Sequence, residues 1–221
     1  MIGRRQLLNA AAAAGLTGCA TKTRTAVSPV AVRKSDHAIP IHAIHATLDR
    51  MFRVTVCLRP FRAAGPRSDI ERVGDQIIVH NYGHGGSGWS LSWGSSGMAA
   101  AKAMQFGERD IGVIGCGALG LTSAIQLQRA GANVTIYAKD RPPDVRSARA
   151  TGTWSPDSRI ALTNAVSPDF PALWEKMARA SFRMHESYFG TAGNPVESTD
   201  QYILSDRNTL EQEFEPQGGH V

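Results

Sequence analysis

Near the middle of the chain, Gly115-Cys116-Gly117-Ala118-Leu119-Gly120 is spaced to bind the phosphates of a dinucleotide. The first glycine permits a tight turn, the second lets a pyrophosphate approach the backbone, and the third lets a helix pack closely on a strand. A helix that starts here points its first N–H groups at the phosphates. Cys116 has the structural role of a small residue beneath them. A second glycine cluster comes earlier, in NYGHGGSGWSLSWG (residues 81–94). Such a run can present backbone N–H groups in a concave turn, suited to an anion or a polarised carbonyl. The same composition also describes a flexible hairpin loop. His80 precedes it and His84 lies within it, and packing or turn hydrogen bonds are their expected roles rather than metal binding. A ribose-binding acid is expected about 20 residues beyond the fingerprint. Asp140 is the residue for that role, one or two positions late, or else a turn residue before Arg141-Pro142-Pro143. Lys139 beside it suits a phosphate, so the fingerprint alone leaves FAD and NAD(P) both open.

These residues need elements to hold them. Asp110–Ile114 reads as a short buried strand, Leu121–Ala130 as a helix stopped by Gly131, and Asn133–Tyr137 as the next strand. A GxGxxG between strand and helix, inside a βαβ unit of about 30 residues, is the context that gives the motif meaning. Upstream, Phe52–Leu58 alternates and is rich in β-branched residues, which predicts a strand stopped at Arg59-Pro60. Gln76–His80 predicts another strand, and Gly97–Phe106 a short helix with Ala99, Ala100, Ala103 and Met104 on its apolar face. Trp89 and Trp93 are expected in the core, as aromatics in strands usually are. Downstream, a helix begins at Ser167-Pro168-Asp169, with Leu173, Trp174, Met177, Phe182 and Tyr188 on one face. Gln201–Leu204 reads as a strand, and a polar tail follows from Asn208.

The chain has 221 residues, 42% of them apolar, with 24 Lys plus Arg against 19 Asp plus Glu. This excludes a disordered tail, a collagen-like repeat and a multi-span membrane protein. Residues 1–62 hold ten basic residues and two acids, a balance of +8, whereas the remainder is acidic by three. A nucleic-acid reader keeps its basic stripe on the folded domain, so nucleic acid is not an expected partner. Residues 1–19 read as a processing signal: Arg4-Arg5, an apolar run from Leu7 to Leu16, then Leu16-Thr17-Gly18-Cys19. The twin arginine points to the Tat route, and Cys19 would be the lipid anchor of an exported, periplasmic, membrane-tethered protein. An ordinary cleaved export signal is the alternative. Residues 20–48 read as a tether. It carries His37, His42 and His45 without Cys, Asp or Glu at ligand spacing beside the His42/His45 pair, so no metal site is expected. Three cysteines are too few for a disulfide scaffold.

Two separated stretches resemble the D-amino-acid oxidase family of FAD-dependent oxidoreductases. One is Leu58-Arg59-Pro60-Phe61-Arg62 followed by HNYGHGGSG (80–88) and Trp93-Gly94; the other is VIGCGALGLTSA (113–124) with IYAKDRPPDVRSARATGTWSP (136–156). In that family the GxGxxG stretch opens the chain and HNYGHGG closes it, whereas here HNYGHGG comes first. The resemblance therefore implies an α/β, Rossmann-like FAD-binding domain in permuted order over 49–160, and an incomplete α+β substrate domain over 161–221. It implies that Gly115, Cys116, Gly117, Leu119 and Gly120 hold the FAD pyrophosphate, and Asp140 the adenosine ribose. Ser147, Thr151, Gly152, Thr153 and Trp154 would line the flavin. Gly85, Gly86, Ser87, Gly88, Trp89 and Ser90 would present donors to the isoalloxazine. Arg59 would pair with a substrate carboxylate, which its planar fork suits. The implied chemistry is hydride transfer from Cα of a D-amino acid to flavin N5. An imino acid then hydrolyses to a 2-oxo acid and ammonia, and dioxygen is reduced to hydrogen peroxide. A truncated, non-catalytic FAD-binding remnant and an NAD(P)-linked dehydrogenase are the alternatives.

Overall fold

The computed structural model describes residues 45–199. The signal at 1–19 with Cys19, most of the tether, the expected strand Gln201–Leu204 and the polar tail lie outside the described residues. The chain divides into two compact units, Met1–Met51 and Phe52–Val221. The described part of the first holds one 3-10 turn, Leu48–Arg50, closed by the Met51 N–H on the Leu48 carbonyl.

In the second unit the order is β1 (Ile70–Val73), β2 (Gln76–Val79), α1 (Gly88–Met104), β3 (Asp110–Ile114), α2 (Ala118–Arg129), β4 (Asn133–Tyr137) and α3 (Phe170–Glu186). The expected βαβ unit is present. β3 and β4 pair in parallel from Asp110 opposite Asn133 to Ile114 opposite Tyr137, and α2 makes the crossover. Its helix starts at Ala118, three residues earlier than the apolar spacing indicates, because the fingerprint glycines run straight into the first turn. β1 and β2 form a separate antiparallel hairpin around Gly74, whose φ of 60° is the positive value that tight hairpins need. Arg67, just ahead of it, donates to Asp69 and Glu71, and Glu71 meets His80 at 2.8 Å. These contacts hold both carboxyls below the usual range: for Asp69 chiefly through Arg67, for Glu71 through His80 and then Arg67.

Three expectations need correction. Phe52–Leu58 forms no ladder; it is exposed along its length, with Phe52 97% accessible. Alternation marks a segment that could be a strand, but a strand exists only against a partner. Among the described residues, the nearest pairing is an isolated bridge between Phe61 and His84. The helix assigned to Gly97–Phe106 instead begins at Gly88, inside the glycine-rich run, and ends at Met104. Trp89 and Trp93 are therefore helical. Trp93 is buried and Trp89 is 38% exposed. On α3 the expected apolar face is correct for Trp174 and Met177, but Phe182 is 44% exposed.

α1 organises the packing, because it meets both α2 and α3. Its N-terminal half gives Leu91 to a cluster with Ile160, Phe170, Trp174 and Met177. Its C-terminal half gives Ala100 to a second cluster with Val113, Ala124 and Leu127, the core of the βαβ unit. A glycine- and serine-rich sequence holds as a helix here because small residues let backbones approach. Any Cβ on Gly94 would fall on the Met177 carbonyl of α3, and the Gly94 N–H donates to Ser181 Oγ at 2.7 Å. The buried hydroxyls find partners, as most buried polar groups do. Ser96 and Thr122 lie 2.8 Å apart, Thr122 Oγ1 reaches the Ser92 carbonyl, and Asn81 Nδ2 donates to Ser96 and Ser123.

Candidate functional site

β3 delivers the chain to Gly115, whose φ of 106° is open only to glycine-like backbone. The Gly115 N–H bonds the Tyr137 carbonyl at 2.8 Å, so the turn is clamped to the end of β4. At Gly120 a Cβ would strike the Gly115 carbonyl, so this position needs glycine for the helix to sit on its own entry turn. Gly117 is the N-cap of α2 and supplies no side-chain cap. The first helical N–H, that of Ala118, donates instead to Ser147 Oγ at 3.0 Å, 29 residues along the chain. A hydroxyl oxygen thus stands where a helix N-terminus favours an anionic oxygen. Cys116 and Leu119 are half-buried beside the turn. Asp140 lies exposed three residues past β4.

The earlier glycine run contributes a turn and a helix start. Gly85 has a φ of 55°, and a Cβ there would meet the Arg159 carbonyl. The Gly85 N–H bonds the Pro60 carbonyl, and a Cβ on Gly86 would overlap the Arg59 guanidinium. The turn therefore seats Arg59, which donates to Ser158 Oγ at 3.3 Å and is otherwise exposed. Ser87 Oγ donates to the Ser158 carbonyl. Ser90 Oγ accepts from the Ser155 N–H at 2.8 Å and reaches the Thr153 carbonyl at 3.4 Å. Trp89 Nε1 donates to the Ser147 carbonyl at 2.8 Å. Thr151, Gly152 and Thr153 are exposed on the connecting loop, and Gly88 is half-buried at the helix start.

Two stretches separated in sequence are thus joined at one place. Residues 85–90 bind the loop 147–158, and Ser147 of that loop binds the N-terminus of α2. Ser92 and Ser96 add direct bonds to α2, including Ser96 Oγ to the Leu119 carbonyl at 3.3 Å. Trp154 turns the other way, toward α3. It packs edge-on against Phe182 at 5.2 Å and against His185 at 5.9 Å, and lines an open groove of about 350 Å³ with Ala178, Arg179 and Arg183. His185 Nε2 meets the Trp89 carbonyl at 3.2 Å; burial lowers its pKa, and that contact partly opposes the shift.

Several residues escape the sequence reading. Ser158 is a hub for Arg59 and Ser87, and nothing in its surroundings in sequence singles it out. Asn81, Ser96, Thr122 and Ser123 form the link between α1 and α2, for which the four-residue spacing of Ser92 and Ser96 was the available signal. His84 is fully buried, neither ring nitrogen has a hydrogen-bond partner among the described residues, and its pKa falls from 6.5 to about 4 through loss of solvation.

Residues 110–216, just under half of the chain, match the family model described as FAD dependent oxidoreductase, DAO. The match marks that stretch as an FAD-dependent oxidoreductase domain, and FAD is the cofactor that family binds. The HNYGHGG stretch and α1 lie N-terminal to the matched residues. No solved structure matches the chain. The residues present fit a dinucleotide: a clamped turn with glycine where the backbone demands it, and a helix start that takes its oxygen partner from outside.

Proposed function

We propose that this chain is the FAD-binding part of an oxidase of D-amino acids, forming a 2-oxo acid, ammonia and hydrogen peroxide with dioxygen as acceptor. The observation that carries this reading is the junction of the GHGG turn and α1 with the fingerprint helix through Trp89, Ser147 and Ala118. Two glycine-rich segments with the chemistry for two halves of one dinucleotide converge there. Gly115, Gly117 and the α2 N-terminus, with Ser147, would hold the pyrophosphate; Asp140 would hold the ribose. Backbone N–H groups of 85–90 and the loop 151–154 would face the isoalloxazine. When bound, FAD supplies a two-electron acceptor for the Cα–H bond.

The chain's own task is to bind and orient the substrate. Arg59 sits against Gly86, one N–H reaches Ser158 Oγ at 3.3 Å, and the side chain is otherwise exposed. A carboxylate held by its guanidinium fork would bring Cα beside the glycine turn. A second reading, FAD binding without turnover, draws on the exposure of Arg59 and of the sheet residues Ile114 and Tyr137.

A fluorescence titration with FAD, followed by a peroxide assay with D-alanine, tests both. The oxidase reading expects FAD uptake and peroxide. Arg59→Ala should raise KM about 10- to 100-fold, the scale of one lost charge-assisted pair, with FAD affinity unchanged. Uptake without peroxide selects the second reading, and no uptake at all overturns both.

A further inference from the structure

We propose that Trp89 is a positioning residue for the pyrophosphate end of the site, acting through Ser147; this rests on the FAD-binding reading above. Ser147 sits in a short 3-10 turn, Arg146–Arg149, in which its three neighbours are exposed. Val145 is buried just before that turn, and Trp89 Nε1 donates to the Ser147 carbonyl at 2.8 Å. Trp89 itself is well held. Its carbonyl takes a bond from Ser92 Oγ at 2.9 Å on α1 and meets His185 Nε2 of α3 at 3.2 Å. A line of hydrogen bonds therefore runs from α3 through Trp89 and Ser147 to the first N–H of α2.

The chemistry of that last member points to an anion. Ser147 Oγ accepts from the Ala118 N–H, which leaves its own proton free to donate. A helix N-terminus with an added hydroxyl donor, flanked by the exposed Arg146 and Arg149, suits a phosphate oxygen. Trp89 touches none of this directly. It fixes where the hydroxyl stands, and its indole N–H is the atom that does so.

The test is a double-mutant cycle read by affinity for two probes, FAD and ADP. Trp89→Phe keeps the ring and removes the N–H. It should weaken both ligands by the same factor, about two- to tenfold, as the loss of one hydrogen bond allows. In a Ser147→Ala background the same change should cost nothing further, since the two residues act in series. A merely structural role for Trp89 would instead lower the melting temperature and leave the effects additive. In the wild-type chain, ADP should slow hydrogen exchange at both the Trp89 indole and the Ala118 amide, a readout that needs no variant. Equal affinity in Trp89→Phe, a loss confined to FAD, full additivity, or an indole whose exchange ignores ADP each overturns the proposal. A wild-type chain that takes up neither probe defeats the FAD-binding reading itself, a result distinct from all of these.

Discussion

Among single residues, His84 has the clearest physical consequence. It is fully buried beneath the glycine turn, and both ring nitrogens, together with Asn81 Oδ1, lack hydrogen-bond partners among the described residues. An imidazolium there would lose its hydration with nothing to replace it, so the folded chain keeps the ring neutral down to about pH 4, against 6.5 for a solvated ring. The unfolded chain takes up the proton first as pH drops. Stability from this group is therefore complete above pH 6.5 and drains away as pH falls toward 4. The loss is about 2 kcal/mol at pH 5 and about 3 kcal/mol at pH 4. Urea unfolding at pH 7 and pH 5 measures it, and His84→Leu should flatten most of the difference. Should that variant not fold, the titration of the His84 ring by NMR gives the folded pKa directly. A midpoint in wild type that ignores this pH step would mean that solvent reaches the ring. The histidine was visible in the sequence as part of a loop; its burial was not, because the cover comes from the chain around Pro60 and Arg159.

At the scale of elements, α1 depends on two glycines in different ways. Gly94→Ala would gain about 1 kcal/mol of helix propensity, yet its Cβ would fall on the Met177 backbone, which cannot rotate away. The crossing with α3 must widen, and a net loss of about 1–3 kcal/mol is expected. Gly97→Ala meets only Gln126 Nε2 at 3.5 Å, an ordinary contact, so propensity wins and the chain should gain about 0.5–1 kcal/mol. Thermal melts of the two variants should move in opposite directions, and a shared direction would sink this account of the crossing. The same helix shows what local sequence can carry. β3, α2 and β4 were legible to within a few residues, because strand, glycine turn and helix are neighbours that fold on one another. α1 was half missed, because GSGWSLSWGSSG reads locally as a loop and becomes helical through hydroxyl bonds to Thr122 and Ser181, far along the chain. Phe52–Leu58 failed in the opposite sense: its alternation is right for a strand, and no partner lies beside it among the described residues. The candidate site divides likewise. The glycines and Arg59 carried local signals, whereas Ser158 and the tie between Trp89 and Ser147 belong to long-range packing.

For the molecule as a whole, what stands out is apolar surface without cover among the described residues. Phe52, Val54, Val56 and Leu58 are all at least 73% exposed, on alternate positions of one unpaired segment. At the C-terminal end of the parallel pair, Ile114 is 91% and Tyr137 63% exposed. Parallel sheets in folded proteins are normally covered on both faces, and a two-stranded one has two open edges. A basic, alternating segment and a sheet with unpaired edges on one chain are complementary, since each offers the hydrogen bonds and apolar contact that the other lacks. The purified chain should therefore associate as its concentration rises, whether or not it turns over substrate. Light scattering coupled to gel filtration reads this. Replacing Val54, Val56 and Leu58 together by threonine keeps the strand propensity of the segment while removing much of its apolar surface. That variant should stay monomeric at concentrations where the wild type does not, with FAD affinity unchanged because none of the three is among the residues that would hold FAD. If the wild-type chain stays monomeric throughout, this surface is covered in solution, and the exposure of Ile114 and Tyr137 no longer favours binding without turnover.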